Sequence, residues 1–106
     1  MLAKKYRLPI QTVLGKSGAT SKNSLFTVKV FPNTLPHCRF GVIISKKVAA
    51  LATERNCLRR TIFSACEGFL KNNGSKDILI IAAPFAAKAE AEDLKMQIHK
   101  ILAHII

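Results

Sequence analysis

Residues 39–60 form the most informative segment of the chain and read Arg39-Phe-Gly-Val-Ile-Ile-Ser-Lys-Lys-Val-Ala-Ala-Leu-Ala-Thr-Glu-Arg-Asn-Cys-Leu-Arg-Arg60. The first part, residues 39–47, is an apolar run with a polar and basic end, which predicts a strand that brings Lys46 and Lys47 to an edge of a sheet. Residues 50–72 predict the main helix, because their apolar side chains recur on one stripe. The members of that stripe are Leu51, Leu58, Ile62, Ala65 and Phe69.

A second strand is predicted before this segment. Residues 25–31 alternate, so that one face carries Phe26, Val28 and Val30 and the other carries Thr27 and Lys29. Pro32-Asn33 ends the run. The short connection to residues 39–47 predicts antiparallel pairing of these two strands.

The remaining segments complete an α+β pattern. Residues 15–24 predict a polar loop, and Asp77 opens a strand, Ile78–Ala82, that is apolar on both faces and is expected to be covered on both sides. A short N-terminal helix is predicted at Ile10–Leu14, after Pro9. A final helix is predicted at about 88–104, with these residues inward: Ala91, Leu94, Ile98, Ile101, Leu102 and Ile105. The order predicts one domain over residues 1–106, an α/β sandwich with a small, mostly antiparallel sheet and three helices.

The chain is strongly basic, and its acidic residues are confined to its second half. The formal net charge is +11, and the first 53 residues hold nine Lys or Arg and no Asp or Glu. An excess of this size repels itself unless a polyanion neutralises it. Nucleic acid is the first candidate, an anionic membrane surface is the second, and simple solubility is the third reading.

Other classes of site find little support in the sequence. The three cysteines, Cys38, Cys57 and Cys66, include no C-x-x-C pair, so we expect free thiols, no metal and no cofactor held by the protein. Cys66 is expected in the core. The longest plain apolar run, residues 78–83, is too short to span a bilayer. The N-terminus shows no signal-peptide core, and we expect a cytoplasmic protein without a membrane partner.

The candidate binding residues lie where the strand meets the main helix. On a helix, Arg55 and Arg59 are one turn apart, and Asn56 and Arg60 form a second such pair. Arg provides a planar fork for phosphate oxygens, and Lys provides a mobile point charge. Asn can hold an Arg fork or reach a ribose hydroxyl. These residues predict a phosphate-binding face, against the alternative of a solvated helix surface.

Two segments together resemble the signature of a known family. Arg39-Phe-Gly-Val-Ile-Ile-Ser-Lys-Lys-Val followed by Arg55-Asn-Cys-Leu-Arg-Arg is similar to the motif of the ribonuclease P protein subunit, usually R-x-G-[hydrophobic]-x-V-S-K-K and then R-N-R-[hydrophobic]-K-R. The resemblance runs from about Tyr6 to His104. It implies a fold of the ribosomal protein S5 domain 2-like type with a left-handed β-α-β crossover.

The resemblance also implies partners and sites. The partners are the ribonuclease P RNA subunit, which is the catalyst and binds Mg²⁺, and the 5′ leader of precursor tRNA; no obligate protein partner and no catalytic residue of the protein are expected. Contacts with the RNA are implied for Arg39, Lys46, Lys47, Arg55, Asn56, Arg59 and Arg60. Contacts with the leader are implied for Phe26, Lys29, Ile10 and Leu14.

The chain departs from the family pattern at several positions. Cys57 replaces the usual Arg, Arg59 replaces the usual Lys, and the turn over residues 48–52 has no extra basic residue. Ile10 and Leu14 stand where the family offers aromatic residues for stacking leader bases. Two alternatives stay open at this point, a protein-only nuclease and a general or ribosomal RNA-binding protein of the same fold.

Overall fold

The computed structural model describes residues 6–9, 13, 18–33, 37–69 and 76–105. Within them the chain forms four strands and two α-helices. In chain order they are β1 (Ala19–Lys22), β2 (Phe26–Pro32), β3 (Arg39–Ile43), α1 (Ala52–Cys66), β4 (Lys76–Ala82) and α2 (Ala91–Ile105), with 3-10 turns at Glu67–Phe69 and Pro84–Lys88. Neither helix in the described part of the chain is long and apolar enough to cross a membrane.

The strand order corrects one sequence prediction. The four strands form one sheet in the order β1-β2-β4-β3, so β2 and β3 are not neighbours. β4 lies between them, antiparallel to β2 and parallel to β3. The physical reason is that β4 is apolar on both faces, which favours a central position with cover on both sides. The connection β3–α1–β4 is the β-α-β crossover that the resemblance implies, and its left-handed sense stays a prediction.

The number of helices is a second correction. The described residues contain two α-helices rather than three. The predicted helix at Ile10–Leu14 lies outside the described residues except for Val13, which is buried. Helix α1 is also shorter than predicted, because it ends at Cys66 and continues only as the 3-10 turn at Glu67–Phe69.

Both helices pack on one face of the sheet, where they form the main core. Phe26 and Val28 are completely buried there, and Val30 packs against the same cluster, so the predicted alternation of β2 is confirmed. The members from β4 are Ile78, Ile80 and Ala82; those from α1 include Ile62, Ala65 and Cys66; those from α2 are Leu94, Ile98 and Leu102. The helices are therefore fixed to the sheet by apolar stripes, as the spacing predicted for Ile62, Ala65, Leu94, Ile98 and Leu102. The prediction is wrong for Leu51 and Ala91, which lie at the N-terminal ends of α1 and α2 and are exposed.

The opposite face of the sheet is only partly covered. Leu8 and Val13 form a second buried cluster with Phe31 and Leu79, and the Leu8 amide donates to the Phe40 carbonyl at 2.9 Å. On the same face, the strand register places polar side chains on β1 and β2. We call the surface formed by these side chains the open sheet face. It consists of Thr20, Lys22, Thr27 and Lys29, all at least partly exposed.

Strand β1 was missed in the sequence, because all four of its residues lie at an edge and only Ser21 is partly buried. Its hairpin with β2 is closed by Asn23, whose Oδ1 accepts from the amides of Leu25 at 2.8 Å and Phe26 at 2.7 Å. Asx turns of this kind replace backbone hydrogen bonds at a chain reversal. The Asn23-Ser24 pair was therefore the available signal for this hairpin.

We expect Gly18→Ala to lower the free energy of unfolding by about 1–3 kcal/mol. A Cβ atom at Gly18 would lie 2.4 Å from the Val30 carbonyl oxygen and 2.8 Å from Cδ1 of Phe31, so β1 or Phe31 must move. Urea denaturation measures the change. The control is Gly68→Ala, where a Cβ meets nothing within 4 Å; equal stability of the two variants would contradict the prediction.

Candidate nucleic-acid interface

Lys46 and Lys47 lie in a turn between β3 and α1. Strand β3 ends at Ile43, earlier than the predicted residue 47. The reversal is closed by the amides of Val48 and Ala49, which donate to the Ser45 carbonyl at 3.1 and 3.3 Å. Both lysine side chains are exposed. Their ammonium groups are therefore available to a ligand beyond the end of the strand.

Arg55 ties this turn to the first turns of α1. Its Nη1 donates to the carbonyls of Ala49 at 3.0 Å and Ala50 at 2.9 Å. A guanidinium has five N–H donors in a fixed fork, so the Nε and Nη2 groups remain for another acceptor. Arg55 thus fixes the approach of the lysine turn to the helix and retains donors of its own.

Asn56 orients a second guanidinium. Arg59 Nη1 donates to Asn56 Oδ1 at 2.9 Å. The prediction that Asn56 can hold an Arg fork is confirmed. Arg60, one residue further, is exposed.

The helical spacing explains why two charged side chains, Arg55 and Arg59, are half-buried. Arg55, Arg59, Ile62 and Cys66 follow one another at spacings of four, three and four, which places them on one side of α1. Ile62 and Cys66 are completely buried, whereas the two arginines are half-buried. The arginines therefore lie on the same side of α1 as these core residues, nearer to the N-terminal end of the helix.

We call Lys46, Lys47, Arg55, Asn56, Arg59 and Arg60 the cationic corner. Within the described part of the chain, none of its five basic side chains has a carboxylate at ion-pair distance. Like charges at helical spacing of three or four residues repel. An anion placed at the cationic corner would relieve that repulsion, and the free guanidinium donors suit phosphate oxygens.

Arg39 does not belong to this cluster. It lies at the opposite end of β3, where its Nε and Nη2 donate to the two carboxylate oxygens of Asp77 at 2.8 and 2.7 Å. Asn33 Nδ2 donates to the same carboxylate at 2.7 Å. The hydrogen bond to Asp77 raises the pKa of Arg39 above its usual value. The structure thus gives Arg39 a place in a partly buried ion pair, and the signal for it was Asp77, a single acid at the start of an apolar strand.

The residues predicted to contact a leader are placed differently from one another. Phe26 is completely buried among the helices, so the prediction of a leader contact is wrong for this side chain. Lys29 lies on the open sheet face. Ile10 and Leu14 lie outside the described residues. Thr20 and Lys22, which the sequence did not single out, share the face of Lys29 through the β1–β2 register.

The cysteines are free thiols, as predicted, and Cys66 is in the core. Burial raises the pKa of the Cys38 and Cys66 thiols, whereas Cys57 is exposed on α1. Among the described residues, no three or more His, Cys, Asp or Glu side chains are grouped as metal ligands would be.

The fold and the cationic corner define a small, basic α+β protein with a cluster of basic side chains at one end of its first helix. Comparison with known proteins shows to which family within this class the chain is similar. The family model Ribonuclease P matches residues 4–106. The ribonuclease P protein component of Dehalococcoides mccartyi is 34% identical over 89 residues, covering 81% of this chain and 70% of that protein. The ribonuclease P protein component of Staphylococcus epidermidis is 31% identical over 93 residues, covering 86% and 76%.

A solved structure agrees with these relatives. The Staphylococcus aureus RNase P protein superposes with a TM-score of 0.84 at 25% identity, covering 94% of each chain. The chain belongs to the ribonuclease P protein family.

Proposed function

We propose that this chain is the protein subunit of a ribonuclease P, which binds the RNA subunit through the cationic corner and assists removal of the 5′ leader from precursor tRNA. The observation that carries the proposal is a group of five basic side chains that have no acidic partner among the described residues, built from the Ser45-Lys46-Lys47 turn and the Arg55–Arg60 helix segment. Membership of the ribonuclease P protein family supports RNA as the polyanion that these side chains bind.

The geometry of the cationic corner suits an RNA backbone. Arg55 and Arg59 are anchored by one Nη1 group each and keep other donors for phosphate oxygens. Arg60, Lys46 and Lys47 are exposed, and their charged groups can contact successive phosphates of an RNA strand. Such contacts position an RNA without reading its sequence, which fits a partner recognised by its shape.

The open sheet face is the surface we assign to the single-stranded leader. Lys22 and Lys29 lie diagonally across β1 and β2, with the hydroxyls of Thr20 and Thr27 between them. Lysine and hydroxyl groups contact phosphate and sugar, so this face would track a backbone rather than stack bases. We therefore expect leader binding with little dependence on leader sequence.

In this proposal the chemistry belongs to the RNA. The RNA subunit holds Mg²⁺ and cuts the leader, and the protein supplies affinity and orientation. The described residues of the protein offer no carboxylate cluster for a metal of their own. Precursor tRNA as substrate would place the complex in the cytoplasm.

Reconstitution tests the proposed function. The purified chain is mixed with a bacterial ribonuclease P RNA and precursor tRNA at a low Mg²⁺ concentration at which the RNA alone is nearly inactive, and leader release is followed on a gel. We expect cleavage at the mature 5′ end only when both components are present. Phosphate contacts by the protein reduce the repulsion between RNA and substrate, which otherwise requires more Mg²⁺.

Two outcomes of this assay favour other functions. Binding of the RNA without any effect on cleavage would indicate a general or ribosomal RNA-binding protein. Cleavage by the protein without RNA would indicate a protein-only nuclease.

A further inference from the structure

A groove of about 230 Å³ lies between α1 and the segment that leads into α2. Its apolar lining includes Leu58, Leu94 and Ala89, and its polar lining comes from Glu54, Cys57 and Thr61 of α1. The Thr61 hydroxyl donates to the Cys57 carbonyl at 3.1 Å, and its oxygen keeps acceptor capacity. The groove therefore combines apolar walls with a few hydrogen-bonding groups, as small-molecule and base sites do.

The groove is continuous with the cationic corner. Arg60 and Cys57 are three residues apart on α1 and thus neighbours on its outer surface. Arg60 belongs to the cationic corner, whereas Cys57 lines the groove. If Arg60 binds a phosphate of an RNA strand, a neighbouring base of that strand can enter the groove once it is unstacked.

The volume of the groove indicates the size of ligand that it can hold. An engineered cavity of about 150 Å³ holds one benzene molecule, so 230 Å³ is suited to one planar nucleobase. Sites for larger ligands occupy about 300–1,000 Å³. The groove is partly open to solvent, and its volume has room for a single base.

Glu54 selects the chemistry of the occupant. It is an exposed carboxylate beside a cationic surface, and it makes no ion pair within the described residues. A carboxylate accepts hydrogen bonds from base N–H groups and donates none. Guanine offers two adjacent donors, N1–H and N2–H, on its Watson–Crick edge, which is free in an unstacked base.

We propose that the groove binds one unstacked guanine of the ribonuclease P RNA, with Glu54 accepting from N1 and N2 and with Leu58 and Leu94 against the ring. This inference rests on the proposed function, since it presupposes that the RNA subunit lies on the cationic corner. It adds a base-specific contact to an interface otherwise made of phosphate contacts, and this contact would fix the register of the RNA on the protein.

Substitution of Glu54 distinguishes this proposal from a purely electrostatic effect, because the two predict opposite changes in RNA affinity. Removing a negative charge from a protein that binds RNA should tighten binding. If Glu54 holds a guanine, Glu54→Gln instead weakens binding to ribonuclease P RNA about fivefold to tenfold, because a bidentate carboxylate–base contact is lost. The matched control is Glu67→Gln, an exposed acid outside the groove, which should tighten binding slightly.

Filling the groove gives a second and independent measurement. Ala91→Phe places a ring at the lining of the groove, and Ala103→Phe places the same ring on the outer surface of the same helix. Both alanines are exposed, so both variants should keep the fold. We expect weaker RNA binding for Ala91→Phe alone. Kethoxal, which modifies N1 and N2 of unpaired guanine, should leave one guanine protected by the wild-type protein and reactive with either groove variant.

The outcomes distinguish the two proposals. If the wild-type chain does not bind ribonuclease P RNA, the proposed function fails. If the wild type binds the RNA but Glu54→Gln and Ala91→Phe bind as well as it does, or no guanine changes its reactivity, the guanine site is overturned and the proposed function stands.

Discussion

Replacing Arg55 and Arg59 together with alanine lowers the affinity for ribonuclease P RNA about 10-fold to 100-fold, as expected for the loss of two charge-assisted phosphate contacts. The plot of log affinity against log salt concentration becomes flatter by about 0.7–0.9 for each lost phosphate contact. Filter binding or fluorescence anisotropy at several salt concentrations measures both quantities.

An effect of these substitutions on stability must be distinguished from an effect on RNA binding. Arg55 also holds the carbonyls of Ala49 and Ala50, so its removal costs about 1 kcal/mol of stability. The hydrogen bond from Arg59 to the exposed Asn56 holds no backbone group, so Arg59→Ala alone reports on RNA binding with less change in stability than Arg55→Ala. Replacement of both arginines with lysine should recover part of the affinity, because the charge returns without the planar fork.

The matched control changes the net charge by the same amount elsewhere. Lys95 and Lys100 lie on α2, which carries no member of the cationic corner. Their double replacement with alanine should affect binding much less. An equal loss for the two double variants would show that net charge, and not the cationic corner, carries the affinity.

The local features of the fold were predictable because they depend on neighbouring residues. The alternation of residues 25–31 and the apolar spacing along α1 describe which side chains are buried, and the structure confirms both at Phe26, Val28 and Ile62. The pairing of strands depends on residues far apart in the chain. Chain proximity favoured a hairpin of β2 and β3, but the run Ile78–Ile81 is apolar on both faces and occupies the place between them.

The candidate site was predictable to a similar extent. The spacing of Arg55, Asn56 and Arg59 defines a helix face, and the structure shows Asn56 holding the Arg59 fork. The position of Arg39 could not be inferred from its neighbours, because its partner Asp77 is 38 residues away. The RNA contact implied for Arg39 stays a prediction, since Asp77 engages its Nε and Nη2 groups and does not engage Nη1.

Asp77→Ala is expected to be the most destabilising single change, because it leaves the charge of Arg39 without its partner. The carboxylate accepts hydrogen bonds from Arg39 and from Asn33, and the side chains of Arg39 and Asp77 are 21% and 6% exposed. Removing one partner of a buried pair costs about 3–5 kcal/mol, and we expect about 3 kcal/mol because Arg39 can regain some water. This is a large part of the 5–15 kcal/mol or so that holds an ordinary domain.

A double-mutant cycle tests this account of the ion pair. Asp77→Ala, Arg39→Ala and the double variant are compared in urea denaturation. The double variant should be more stable than the sum of the two single losses indicates, since it leaves neither charge uncompensated. Additive losses would show that the two side chains do not depend on each other. RNA binding gives a second reading of the same variants, because a purely structural Arg39 predicts that folded Arg39→Ala keeps the salt slope of the wild type, whereas a phosphate contact by Arg39 predicts a flatter one.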